Sequence, residues 1–211
     1  MSVFLIFFVM VLASYLLGAI PWGLIVGKLI GKVDVRGQGS GNIGATNVLR
    51  TIGLAPAILV LLLDLGKGLA PILVSRLLIG LASINDITGS FLEAGSALSV
   101  IMGHNWSIFL KFKGGRGIAT GLGSLAILTP WVTIGILAIG LPIIGISRIV
   151  SLGNTIGALL TGLTLLVLSI LGIHPIAYGI YGVIASAIVL FRHRQNILRI
   201  IGDTESRLGS A

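Results

Sequence analysis

VFLIFFVMVLASYLLGAIPWGLIV, from Val3 to Val26, decides which solvent this chain is built for. It carries no charged residue over a length sufficient for one helix to cross a bilayer, about 20 residues. The rest of the sequence repeats that character. Of 211 residues 55% are hydrophobic and only 9% charged, and the mean hydropathy is +1.12. A soluble domain carries about 25% charged residues, so the surface must face lipid. Lipid admits only helices or closed barrels, because an unpaired peptide group there costs several kcal/mol. The apolar runs are continuous rather than alternating with a period of two, which selects helices over a barrel. The expected fold is an all-α, polytopic membrane protein forming a single membrane-embedded domain over residues 1–211.

Further apolar runs extend over about Leu54–Leu78, Phe91–Ile108, Gly117–Leu128, Trp131–Ile146, Leu152–Leu171 and Pro175–Phe191. With the first they make about seven transmembrane helices. The start, MSVFLIFFVM, lacks the basic region of a cleavable signal peptide and reads as part of a retained helix. Seven crossings put the loops after the first, third, fifth and seventh runs on one side. All fourteen Lys and Arg residues except Lys67 and Arg76 then fall on that side. Such asymmetry makes it the cytoplasmic side, with the N-terminus outside and the C-terminus in the cytoplasm. The net charge of +8 therefore points to anionic lipid rather than nucleic acid. Cysteine is absent, which excludes disulfides and thiolate metal sites.

Every polar, glycine-rich stretch gathers at this cytoplasmic face. The first is GQGSGNIGATNVLR, Gly37–Arg50. Its glycines, Ser40, Thr46, Asn42, Asn47 and Arg50 supply backbone N–H groups, short side-chain donors and a bidentate cation, as a phosphate or carboxylate needs. Gly39, Gly41 and Gly44 match G-x-G-x-x-G formally. A membrane helix rather than a strand precedes them, however, and Asp64 lies inside an apolar run, so a dinucleotide loop is excluded. The second stretch, KFKGGRGIAT from Lys111 to Thr120, surrounds glycines with Lys111, Lys113 and Arg116 at the start of a helix. The third, RHRQN from Arg192, puts His193 and Asn196 on one helical face, and His193 suits a proton acceptor or phosphate donor. A short polar bend runs from Ser147 to Asn154. Within the second run, Asp64 and Lys67 share a face and pair, either to fix helix packing or to support a site. Gly23 and Gly27 are spaced for close helix packing. No pair of carboxylates and no His/Asp/Glu cluster faces a common site, so acid–base pairs and metal hydrolysis are poorly supplied while anion binding is well supplied.

GSGNIGATNVLR, GHNWSIFLKFKGGRGIAT and RHRQNI, in this order and spacing, resemble the three signature motifs of the bacterial acylphosphate:glycerol-3-phosphate acyltransferases. LLLDLGKG, with Asp64, Lys67 and Gly68, resembles a further recurrent feature of that family. The resemblance implies acyl transfer from acyl phosphate to the 1-hydroxyl of glycerol 3-phosphate at the cytoplasmic face of the bacterial inner membrane, in phospholipid biosynthesis. It further implies no cofactor, no metal, membrane lipids as surroundings and function as a monomer. Ser40, Arg50, Arg116, His193 and Asn196 are then the expected catalytic residues. Gly39, Gly41, Asn42, Gly44, Thr46, Asn47, Lys67, His104, Lys113, Gly114, Gly115, Thr120, Ser151 and Asn154 are the expected substrate and phosphate ligands. Two positions depart from the family pattern. Arg116 stands where the second motif carries Lys, and Asn154 stands where a second serine follows Ser151.

Two other classes compete. A transporter of a phosphorylated anion would use Asp64, Lys67 and the basic stretches, but it needs a midplane site between repeats, and no internal repeat is visible. A soluble-type acyltransferase needs an H-x4-D pair. His104, His174 and His193 are followed five residues on by Phe109, Gly179 and Leu198, which excludes it.

Overall fold

The computed structural model describes residues 2–209, and its regular structure is helical throughout. The chain forms two compact units, Met1–Ile127 and Leu128–Ala211.

In the first unit, the opening apolar run is two helices, α1 (Val3–Ala19) and α2 (Trp22–Leu29), rather than one. Ile20 precedes Pro21 and is extended at φ −60° and ψ 118°, as the clash with a proline ring demands. A 3-10 turn (Val35–Gly37) and a short helix α3 (Ala45–Thr51) follow, then the long α4 (Leu54–Leu81). At 28 residues and 1.5 Å per residue, α4 reaches about 42 Å, more than a hydrocarbon core requires. Helix α5 (Asp86–Asn105) is capped by the Asn85 side chain, which accepts from Thr88 N at 2.9 Å. It lies directly on α1: a Cβ at Gly18 would come within 2.1 Å of the Val100 carbonyl oxygen. Ser99 Oγ donates to Val11 O across the same seam at 2.7 Å. A 3-10 turn (Ile108–Leu110) leads to α6 (Ile118–Leu128).

The second unit is built from three consecutive helices, α7 (Pro130–Ser147), α8 (Val150–Ile170) and α9 (Ile176–Ile201). Leu165 is fully buried between α8 and α9, and Ser186 Oγ ties α9 to the Ala158 carbonyl. Helix α9 continues ten residues past Phe191, so the RHRQN cluster lies on its last turns instead of in a tail. After α9 the chain turns back, and Leu208 N donates to Arg148 O at 2.7 Å.

Large apolar side chains such as Phe4, Phe8, Leu62, Leu77, Trp131 and Ile146 are exposed along these helices. Burial inside the protein does not account for them, whereas contact with lipid does. Among the described residues five helical stretches are long and apolar enough to cross a membrane: Val3–Leu29, Leu54–Leu81, Pro130–Ser147, Val150–Ile170 and Ile176–Ile201. Helix α5 is long enough but carries Asp86, Glu93, His104 and Asn105, and α6 is short.

Candidate functional site

Asn47 organises the first glycine-rich stretch. Its side chain is buried, and Nδ2 donates to the carbonyls of Val35 (2.8 Å), Asn42 (2.8 Å) and Gln38 (3.2 Å). Its Oδ1 accepts from Ser40 N (2.8 Å) and Ser40 Oγ (3.1 Å). The chain can wrap one amide this closely because Gly39 and Gly41 take φ of +56° and +69°. A Cβ on Gly39 would sit 2.4 Å from Asn47 Oδ1. Val35, Ile43 and Val48 anchor the wrapped loop in a core shared with Leu24 and Val26 of α2 and with Ala57 and Val60 of α4. Gly23 allows the loop backbone itself to approach α2, since a Cβ there would overlap the Ile43 oxygen. Its small size serves the loop rather than a neighbouring helix.

Several N–H groups expected to receive an anion are spent on shape. Gly41 N bonds Gln38 O at 3.0 Å, and Gly44 N faces Asn42 Oδ1 at 3.3 Å. In the second stretch Gly115 N bonds His104 O (3.0 Å) and Gly114 N bonds Asn105 O (3.1 Å). An anion held at these stretches would therefore be left mainly to side chains. Ser40 and Arg50 are exposed, with Arg50 in the last turn of α3, and Asn42 and Thr46 are half-buried. Arg36 is engaged instead by Asp34 at 2.6 Å, and its guanidinium holds the Asp34 carboxyl well below the usual carboxylate range.

The second stretch joins the same core through Leu110, which packs in the cluster holding Val35, Ile43 and Val48. Two basic glycine-rich segments are thus carried on one apolar base. Lys111 and Lys113 are exposed and Arg116 is half-buried, while Thr120 is buried in the first turn of α6. Asn105, not anticipated from the sequence as a functional residue, is fully buried beneath Gly117, with neither amide atom hydrogen-bonded among the described residues. Lys67 and His104 are both buried: Lys67 pairs with Asp64 at 2.9 Å, and His104 Nδ1 lies 3.6 Å from the same carboxylate.

In the second unit His193 is fully buried, and its Nδ1 lies 2.9 Å from Val189 O. A carbonyl only accepts, so Nδ1 is the donor in this contact and carries a proton. Three residues on, Asn196 Nδ2 donates to Glu205 Oε1 at 2.6 Å. Ser151 Oγ donates to the same oxygen at 2.8 Å, and Arg199 Nε to Glu205 Oε2 at 2.7 Å. Burial opposes ionisation of Glu205, but the bonds from Asn196, Ser151 and Arg199 outweigh it and hold the carboxyl below its ordinary range. Asn154 lies one turn beyond Ser151, half-buried on α8. The Arg194 guanidinium lies 4.4 Å over the Phe191 ring and donates to the Phe191 carbonyl at 3.0 Å. Glu205 escapes sequence reasoning because nothing local marks it; it becomes visible only as one of six acids in a basic chain.

The glycerol-3-phosphate acyltransferase family matches residues 8–203. The chain is 41% identical over 210 residues to a glycerol-3-phosphate acyltransferase of Crocosphaera subtropica, covering 98% of this chain and 95% of the relative. It is 41% identical over 202 residues to one of Halalkalibacterium halodurans, covering 95% and 94%. Among solved structures, it is similar to PlsY, an integral membrane glycerol 3-phosphate acyltransferase, in its glycerol 3-phosphate form. That likeness has a TM-score of 0.83 at 33% identity and covers 96% of both chains. The lysophosphatidic acid form of PlsY gives a TM-score of 0.81 at 32% identity, covering 96% of this chain and 95% of that one.

Proposed function

Since the chain belongs to the glycerol-3-phosphate acyltransferase family, we propose that it transfers a fatty acyl group from acyl phosphate to the 1-hydroxyl of glycerol 3-phosphate. The products are 1-acylglycerol 3-phosphate and inorganic phosphate. The hydroxyl oxygen forms a bond to the acyl carbon, the bond from that carbon to the phosphate oxygen breaks, and the hydroxyl proton leaves with the phosphate or passes to His193 Nε2. The observation that carries this reading is the pair of basic glycine-rich segments seated on one core of the first unit. One segment would serve one anion; acyl phosphate and glycerol 3-phosphate bring two.

In this reading Arg50, Lys113 and Arg116 clamp the phosphates, and Ser40, Asn42 and Thr46 donate to phosphoryl or carbonyl oxygens. Asn196 orients glycerol 3-phosphate. Its Nδ2 bond to Glu205 fixes which way the amide faces and leaves its oxygen for a hydroxyl. Acyl phosphate is already activated, so positioning and charge stabilisation supply the rate without a covalent intermediate, metal or cofactor. The reaction takes place at the cytoplasmic face of the inner membrane, in a monomer of seven crossings that acts as one functional domain. The basic segments lie on that face, with the N-terminus outside and the C-terminus inside. Purified protein in detergent, given glycerol 3-phosphate with palmitoyl phosphate, palmitoyl-CoA or palmitoyl-acyl carrier protein in parallel, tests the donor. Product from the phosphate alone is the expected result; turnover with either thioester at a similar rate refutes it.

A further inference from the structure

The first unit holds a buried charge pair that the phosphate clamps do not use. Asp64 and Lys67, one turn apart on α4, are 2% and 4% exposed, with Lys67 Nζ 2.9 Å from Asp64 Oδ1. Lys67 Nζ also donates to Ile20 O at 2.8 Å, where the chain breaks between α1 and α2. Its charge is offset by Asp64 and two of its three donors are directed to protein oxygens, which leaves it poorly placed to receive a substrate phosphate. On the other side of the carboxylate stands His104, also buried, with Nδ1 3.6 Å from the same Asp64 oxygen.

His104 connects this pair to the second glycine segment. Its Nε2 edge lies so close to Gly115 that a Cβ there would come within 2.1 Å, and its carbonyl accepts the Gly115 N–H at 3.0 Å. Beside Lys67, Gly68 presses on the first turn of α6, where a Cβ would come within 2.0 Å of Thr120 O. The Gly68 carbonyl accepts from Ser124 Oγ at 3.0 Å. The region around the pair therefore meets the segment bearing Arg116 from both ends, at Gly115 and at Thr120. Stability alone does not call for such a pair, because apolar side chains of similar volume replace buried ion pairs at little cost or with a gain.

We propose that Asp64 is a positioning residue that acts through His104 on the Gly114–Gly117 turn and so places Arg116 for phosphate. Lys67 is the buried counter-charge of Asp64 and not a phosphate ligand. The inference rests on the proposed reaction only in requiring a phosphate-bearing substrate.

Three variants test it: Asp64→Leu/Lys67→Met, which replaces the pair by apolar groups, His104→Gln, which leaves the pair whole, and their combination. Folding is checked by thermal midpoint and gel-filtration profile in detergent. Calorimetric Kd for glycerol 3-phosphate and steady-state KM and kcat for both substrates are then measured. The expected result is a roughly tenfold rise in Kd or in one KM with kcat changed less than about threefold, and a combined variant no worse than His104→Gln alone. Wild-type affinities in the folded double variant, or effects that multiply in the combination, overturn the proposal. If the double variant does not fold, Asp64→Asn in the wild-type and His104→Gln backgrounds gives the same comparison. Failure of the wild type to use acyl phosphate defeats the donor assignment but leaves this test standing, since glycerol 3-phosphate binding is read without a donor.

Discussion

Asn47 illustrates how little of the candidate site's chemistry is carried by the glycines. With its amide shared among Val35, Gln38, Asn42 and Ser40, the loop is shaped by one side chain and the glycines make room for it. Leaving the buried Val35 carbonyl without this partner costs about 1–3 kcal/mol, and the half-buried bonds add less. Asn47→Ala should therefore lower the thermal midpoint and reduce acyl transfer at least a hundredfold, although Asn47 touches no substrate in this account. An unchanged midpoint would show that the loop holds its shape by other means. Arg50→Ala should abolish transfer while leaving the midpoint within a degree or two, because Arg50 is exposed; retained activity would remove it from the clamp. Glu205 gives a pH signature. Its carboxyl is held below the ordinary value of 4.5 in the folded chain, so the unfolded chain binds the proton more readily and stability rises with pH. The contribution is present above the unfolded pKa and is lost as pH falls through the folded one. Thermal midpoints of the wild type should drop as pH is lowered below about 4.5, and Glu205→Gln should flatten that drop. Parallel curves for the two proteins would contradict the assigned role.

At the scale of elements, close backbone contact does more than side-chain pattern. Gly68→Ala puts a methyl group onto the Thr120 carbonyl and should separate α6 from α4, at a cost of about 1–3 kcal/mol. The readouts are the midpoint and a loss of activity larger than the loss of folded protein; a wild-type melting curve would mean that α6 shifts freely. The same contrast explains what could be read in advance. The long apolar runs show in composition because lipid leaves no alternative to helix, and α4, α7 and α8 follow them closely. The break at Pro21 is hidden inside a run with no charged residue to mark it. Helix α3 was hidden because GATNVLR reads as loop by composition and becomes helix through the burial of Asn47 and Val48. The extension of α9 through RHRQN follows from packing of His193 and Asn196, which are buried although their neighbours are charged. The residue types of the proposed anion chemistry are visible in the sequence. The role of Glu205 was not, since the tail that brings it to Ser151 and Asn196 has no periodicity to read.

For the whole molecule, the exposed apolar surface fits a lipid boundary, and the proposed reaction takes place at its cytoplasmic face. The chain has no cysteine, so single substitutions report topology cleanly. Ser2→Cys and Ser83→Cys should react with an impermeant maleimide in intact cells, and Lys111→Cys and Arg207→Cys only after lysis. The reverse pattern would place the basic segments outside and refute the cytoplasmic assignment. The proposed reaction is defined above all by the identity of its leaving group. The most direct measurement follows the phosphorus: palmitoyl phosphate labelled with 32P is incubated with unlabelled glycerol 3-phosphate and purified protein, and label is traced to inorganic phosphate and to lipid. One labelled inorganic phosphate should be released for each 1-acylglycerol 3-phosphate formed, with no label in the lipid. Lipid product formed without stoichiometric phosphate release, or label recovered in the lipid, would contradict it.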